Sequence, residues 1–118
     1  MPFQTILQEL VETVPHAVGA ILVDWEGEAV QEYCHCDPYD IRFMAAHKGI
    51  ILSRLRETHG DNQGGPIEEV MVTAEKQHLL IGAVDKDYSL VLQVGRPCPL
   101  GLARFHFKRA LLQVREEL

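Results

Sequence analysis

The chain has 118 residues, 47% hydrophobic and 24% charged, which suits one domain with a real core and excludes a compositionally disordered chain. Its 17 acidic against 11 basic side chains give a net charge of −6. This excludes a general nucleic-acid binder, because phosphate neutralisation needs a basic stripe and the lysines and arginines here are scattered among acids.

The elements follow in chain order. Phe3, Ile6, Leu7, Leu10, Val11 and Val14 recur at helical spacing, and Pro15 stops this first helix. Ala17–Asp24, AVGAILVD, is apolar on both faces, as a central strand covered on both sides should be. Trp25-Glu26-Gly27-Glu28 reads as a turn, with Gly27 free to take positive φ, and residues 28–33 as the return strand. Asp37-Pro38 breaks that strand. A helix is predicted over residues 40–57, with Asp40 as its N-cap and Gly60 where it leaves off. Residues 58–66, THGDNQGGP, read as a surface loop. Three strand-like runs come next, 67–74, 78–84 and 88–94, separated by the polar turns EKQ and DKD, so they form an antiparallel meander. Pro97 and Pro99 set the start of a last helix with the stripe Leu100, Ala103, Phe107, Leu111, Val114 and Leu118. The order α-β-β-α-β-β-β-α does not alternate strictly, which argues against a doubly wound parallel sheet. The expected fold is α+β, one domain over residues 1–118, with a five-stranded antiparallel sheet between helices.

No apolar run approaches the ~20 residues of a membrane span. The N-terminus lacks the basic and apolar regions of a secretory leader. Three cysteines are an odd, low count for a disulfide framework. Together these favour a reducing, cytoplasmic setting.

The middle helix carries two apolar stripes where most globular helices show one. Ile41, Met44, Ala45, Ile51, Leu52 and Leu55 fall within about 60° of one direction at ~100° per residue, a face that can cover the sheet. Phe43, Ala46 and Ile50 fall on the opposite side, and Gly49 sits inside the helix, where a small residue makes sense if something packs close. A chain this size has little left to cover a helix on both sides, so the second stripe reads as an interface. The expectation is that this helix pairs with its copy in a homodimer. The third strand adds to it: Val70, Val72 and Ala74 alternate with Glu69, Met71, Thr73 and Glu75, and its place after a loop makes it a candidate edge strand able to extend a sheet across a dimer. The interface residues are then Phe43, Ala46, Gly49, Ile50 and Met71.

The densest run of candidate metal ligands is EYCHCDPYD, ending at Asp40. On a strand Cys34 and Cys36 point to one face and His35 to the other, so the three do not converge on one ion. Zinc sites use C-x₂₋₄-C pairs with a second pair elsewhere, whereas the spacing here is C-x-C with no second pair. The cysteines read as small buried hydrophobes, and neither metal nor cofactor is expected. The six histidines read as surface or helix-cap groups, and no Ser-His-Asp or paired-carboxylate pattern stands out. There is no GxxxxGK[ST] loop for nucleotide.

FQTILQELVETVPHAVGAILVDWEGEAV is similar to the opening of the roadblock/dynein light chain family: a short helix, a "vpga" step at Val14-Pro15-His16-Ala17, an apolar strand, then D-x-x-G at Asp24-Trp25-Glu26-Gly27. IEEVMVTAEKQHLLIGAVDKDYSLVLQV resembles that family's meander, and LGLARFHFKRALLQVREEL its closing helix. His16 departs from the common glycine of the "vpga" step. The resemblance implies a profilin- or longin-like fold, dimerisation through the middle helix and adjacent edge strand, and a role as a platform for small Ras-like GTPases. Bacterial single-domain members include GTPase-activating partners of polarity and motility GTPases. The implied function is a non-catalytic homodimeric regulator or scaffold of such a GTPase. The alternative is a small-molecule sensory or protein-interaction module of profilin-like fold, and a thiol or metal enzyme centred on residues 34–37 comes second to that. Arg42 and Arg54 are the GTPase-contact candidates, and Arg56 and Arg96 are further possible arginine fingers, although a solvated charge is the commoner state of an arginine and the favoured reading of each.

Overall fold

The computed structural model describes residues 2–59 and 64–118, without the side chains of residues 48–50, 53, 58 and 59. Its elements are α1 (Pro2–Thr13), β1 (Ala17–Asp24), β2 (Ala29–Cys34), α2 (Pro38–His59), β3 (Glu69–Thr73), β4 (Gln77–Ala83), β5 (Tyr88–Gly95) and α3 (Leu100–Glu117). The five strands form one antiparallel sheet in the order β2-β1-β5-β4-β3. The three strands of the meander run in sequence from one edge to the centre, and the first hairpin completes the other side.

Side-chain alternation sorts the central strands between two layers. Ala20, Leu22, Leu80, Leu90 and Leu92 face α1 and α3, meeting Leu7 and Leu10 of α1 and Phe107 and Leu111 of α3. Ile21, Val23, Leu79, Ile81 and Val91 face the other way, toward Ile41, Ala45 and Leu52 of α2. Two helices therefore cover one face, and one helix covers the other. β1, β4 and β5 are buried on both sides, which is why they read as near-continuous apolar runs.

The start of α2 differs from expectation. Asp37 is the cap: its Oδ1 accepts the Tyr39 N–H at 3.0 Å, Pro38 takes the first helical position, and Asp40 lies in the first turn. A proline at that position loses no helical hydrogen bond, so the residue that breaks β2 also begins α2. Gly60 lies outside the described residues. Leu55, expected on the sheet-covering stripe, stays 38% exposed. His78, expected at the surface, is buried on the α3 face of β4, with its Nδ1 2.9 Å from Thr73 Oγ1 on β3.

His16 has φ of 63°, a left-handed conformation that costs a non-glycine residue roughly 1–2 kcal/mol. The corner is held by its carbonyl, which accepts the Gly95 N–H at 2.8 Å. This accounts for the glycine common at this step. Replacing His16 by glycine is expected to raise stability by about 0.5–1 kcal/mol, because the strain relieved exceeds the added freedom of the unfolded chain. Urea unfolding measures it, and an unchanged midpoint would mean that the histidine side chain compensates for its own backbone.

Candidate interaction surface

α2 presents a column of rings to solvent. Tyr39 and Phe43 stack with centroids 6.1 Å apart, and Phe43 and His47 lie 4.3 Å apart. They stand at i, i+4 and i+8, so they share one helix face. His47 Nδ1 lies 2.9 Å from the Phe43 carbonyl, which anchors the ring along the column. Tyr39 is 67% exposed and Phe43 56%. Ala46 is exposed beside them, and the β1–β2 turn closes on it: a Cβ on Gly27, whose φ is 85°, would lie 3.6 Å from Ala46 Cα. That turn is braced by Asp24, whose Oδ1 accepts the Glu26 N–H at 2.9 Å and the Glu28 N–H at 3.0 Å. Trp25 projects from it, and a groove of about 300 Å³ runs from Trp25 past Ala46 and Leu52 to Arg56 and Lys86.

Of the residues expected at an interface, Phe43 and Ala46 lie together on this outer face. The side chains of Gly49 and Ile50 lie outside the described residues. Met71 is 40% exposed on the edge strand β3. It stands opposite Leu80, a residue of the α1/α3 layer, so its side chain points away from the face that α2 covers. Val70 and Val72 are the β3 side chains that pack toward α2.

The cations do not converge. Arg42 is clamped to Glu32 of β2 by its Nε and Nη2. Arg54 is 12 residues further along the helix, about 18 Å at 1.5 Å per residue. Arg56 reaches the Asp85 carbonyl at 3.5 Å, and Arg96 donates to the Ala74 carbonyl at 2.8 Å.

Cys34 and Cys36 both pack against the α2-side cluster, and the Cys34 thiol donates to the Cys36 carbonyl at 3.1 Å. His35 turns to the other side, edge-on to Tyr33. Among the described residues no three His, Cys, Asp or Glu side chains are grouped to hold a metal ion. Burial, then the hydrogen bond and charge of Cys34 and the charge of Asp40, push the Cys36 thiol up to about 11. A raised thiol pKa leaves the thiolate scarce at neutral pH. Alkylation of Cys36 at pH 8 is expected to run about 100-fold slower than for an unperturbed cysteine and to climb tenfold per pH unit toward 11. Iodoacetamide rates followed by peptide mass spectrometry test this. A rate matching a free cysteine would restore the thiol-enzyme reading.

Tyr39 and His47 of the ring column and Trp25 at its flank were not expected from the sequence. Nor was a second exposed stripe, Leu102, Phe105 and Leu112, on the outer face of α3.

No family model matches the chain, and no curated protein matches it by sequence. Solved structures do match it. A roadblock/LC7 domain from Streptomyces avermitilis superposes with a TM-score of 0.86 at 22% identity, covering 97% of this chain and 95% of that one. The chain has the roadblock fold. MglC from Myxococcus xanthus is similar over 100% of both chains, with 25% identity and a TM-score of 0.75. The gliding protein MglB from Thermus thermophilus gives a TM-score of 0.86 at 19% identity, covering 98% of this chain and 87% of that one. Among the described residues, no helix of this roadblock fold is long and apolar enough to cross a membrane.

Proposed function

We propose that this chain is a non-catalytic, homodimeric regulator or scaffold of a small Ras-like GTPase, working in the cytoplasm as a single roadblock domain. The observation that carries the reading is the exposed ring column on α2. Among the described residues, α2 is the one helix on its side of the sheet, and its outward face holds Tyr39 and Phe43 in solvent. Aromatic residues that are exposed, rigid and already stacked are the usual anchors of interfaces. The likeness to MglB and MglC supports a GTPase-related role, as the resemblance of the sequence does.

In this reading the dimer forms through Phe43, Ala46, Gly49 and Ile50 of α2. The free edge of β3 beside Met71 extends the sheet into the partner copy. Arg42 and Arg54 are candidates to touch the GTPase. Since Arg42 is engaged by Glu32, it acts as part of a shaped surface, whereas a catalytic finger would have to be free to enter a nucleotide site. Regulation then means ordering the GTPase's own catalytic residues, or holding it in place.

The test uses small GTPases encoded by the source genome, each loaded with GDP or a non-hydrolysable GTP analogue. Binding is measured by calorimetry and hydrolysis under single-turnover conditions. GTP-state-selective binding with faster hydrolysis makes the chain an activator, and the same binding at an unchanged rate makes it a scaffold. A stable dimer that binds none of them in either state overturns the GTPase reading.

A further inference from the structure

The sheet has two edges, and the proposed dimer uses only β3. The other edge, β2, carries a sharp bias of charge. Between Asp24 and Asp40 the sequence holds Asp24, Glu26, Glu28, Glu32, Asp37 and Asp40 and neither lysine nor arginine. The remaining eleven carboxylates balance the eleven lysines and arginines, so the whole net charge of −6 resides in this segment. In the structure it is the β1–β2 turn, the β2 strand and the approach to α2. Arg42 reaches over from α2 to Glu32, but Glu26, Glu28, Asp37 and Asp40 stay exposed.

The backbone of that edge is open. The His35 N–H donates to the Val18 carbonyl at 2.8 Å, so His35 and, by the period of two, Tyr33 and Gln31 turn their backbone groups toward β1. Glu32 and Cys34 then turn their N–H and C=O groups outward, and among the described residues no strand lies beyond them. Nearer the turn the register shifts between Leu22 and Val23, a bulge at Val30 that ends this alternation. A concavity of about 240 Å³ lies along this edge, lined by Ala29, Val30, Gln31, Glu32 and Arg42. Val30 is 41% exposed within it.

We propose that the β2 edge is a docking site for an extended, lysine- or arginine-bearing segment of a partner protein, which adds to the sheet as a sixth strand. Ladder hydrogen bonds to Glu32 and Cys34 supply the register, and the acidic flanks supply the choice of partner. The same charge keeps two copies of β2 apart, since like-charged edges repel. Self-association is thereby left to β3, and the β2 site stands independently of whether a GTPase or a dimer partner binds elsewhere.

The probe is a fluorescent octapeptide of alternating lysine and valine. Its comparators are the glutamate–valine version and a lysine–valine version N-methylated at alternate amides, which keeps the charge and removes one side of the ladder. The key variant is Glu32→Pro, with Glu32→Gln as the control for its lost charge. The proline deletes an outward N–H that β1 does not use, and an edge strand tolerates it. Circular dichroism confirms the fold, and Glu28→Lys provides a second variant in the flank. The expected result is saturable binding of the lysine–valine peptide, with new amide protection at Glu32 and Cys34. Affinity should fall at least tenfold for the N-methylated and glutamate peptides, for Glu32→Pro relative to Glu32→Gln, and for Glu28→Lys. Equal binding of the methylated peptide, or a Glu32→Pro protein that binds as well as Glu32→Gln, reduces the effect to charge attraction and overturns strand addition. No binding of any peptide overturns it as well, and so does a change of oligomeric state in Glu32→Pro, which would make β2 a self-interface.

Discussion

Truncating Phe107 to alanine is expected to destabilise the fold by about 3–5 kcal/mol, the largest effect of any single side chain here. Phe107 is 1% exposed and is the bulkiest of the fully buried residues. It sits where α3 comes closest to the sheet, against Gly82 of β4. A Cβ added to Gly82 would stand 2.9 Å from Phe107 Cε2 and 2.5 Å from Leu111 Cδ1. The helix has therefore settled into the space a side chain would occupy, and the ring fills what remains. Gly82→Ala alone should cost about 1–3 kcal/mol, as overpacking usually does. In the Phe107→Ala background the new methyl enters the cavity, and the double variant should be less unstable than the sum by about 1 kcal/mol or more. Denaturant unfolding of the four proteins measures the coupling. Strict additivity would show that α3 shifts as a body and that the ring and the glycine do not share one contact.

The same packing explains what the sequence made legible. β1, β4 and β5 were plain because burial on both faces leaves continuous apolar runs, and the meander was plain because EKQ and DKD punctuate it. The second stripe of α2 was readable from Phe43 and Ala46. Its best-exposed member, Tyr39, was hidden by the choice of Asp40 as cap: once Asp37 caps and Pro38 opens the helix, Tyr39 falls in register with Phe43 and His47. The placement of Met71 was half legible. Alternation separates it from Val70 and Val72, but which side α2 covers depends on the crossover from β2 to β3, a non-local fact. His78 was illegible for a related reason, since a histidine in a strand is buried only when a neighbour such as Thr73 satisfies it and a helix covers it. His16 points the other way: the sequence showed only that a histidine stands at the step where glycine is common, and the left-handed backbone that strains it is visible only in the structure.

Replacing Phe43 with glutamate is expected to weaken self-association at least 100-fold while leaving the protomer folded. Two costs decide this. In the protomer the ring is 56% exposed and touches mainly Tyr39 and His47, so its loss forfeits about 1 kcal/mol of stacking. In a dimer built on α2, the same position lies near the helix pairing, where a hot-spot aromatic is worth about 2–4 kcal/mol. A carboxylate there adds the cost of desolvation, and in such a dimer its copy would stand close by. Sedimentation velocity across a concentration series reads the shift, and thermal unfolding should lose its concentration dependence in the variant. Phe105→Glu is the matched control. Phe105 is 64% exposed, but it stands on α3, in the layer on the opposite side of the sheet. It should leave the association constant unchanged, which separates a specific surface from a general response to losing an exposed ring. If Phe105→Glu dissociates the protein and Phe43→Glu does not, the self-interface belongs to the α3 face, and the outer face of α2 is free for the GTPase.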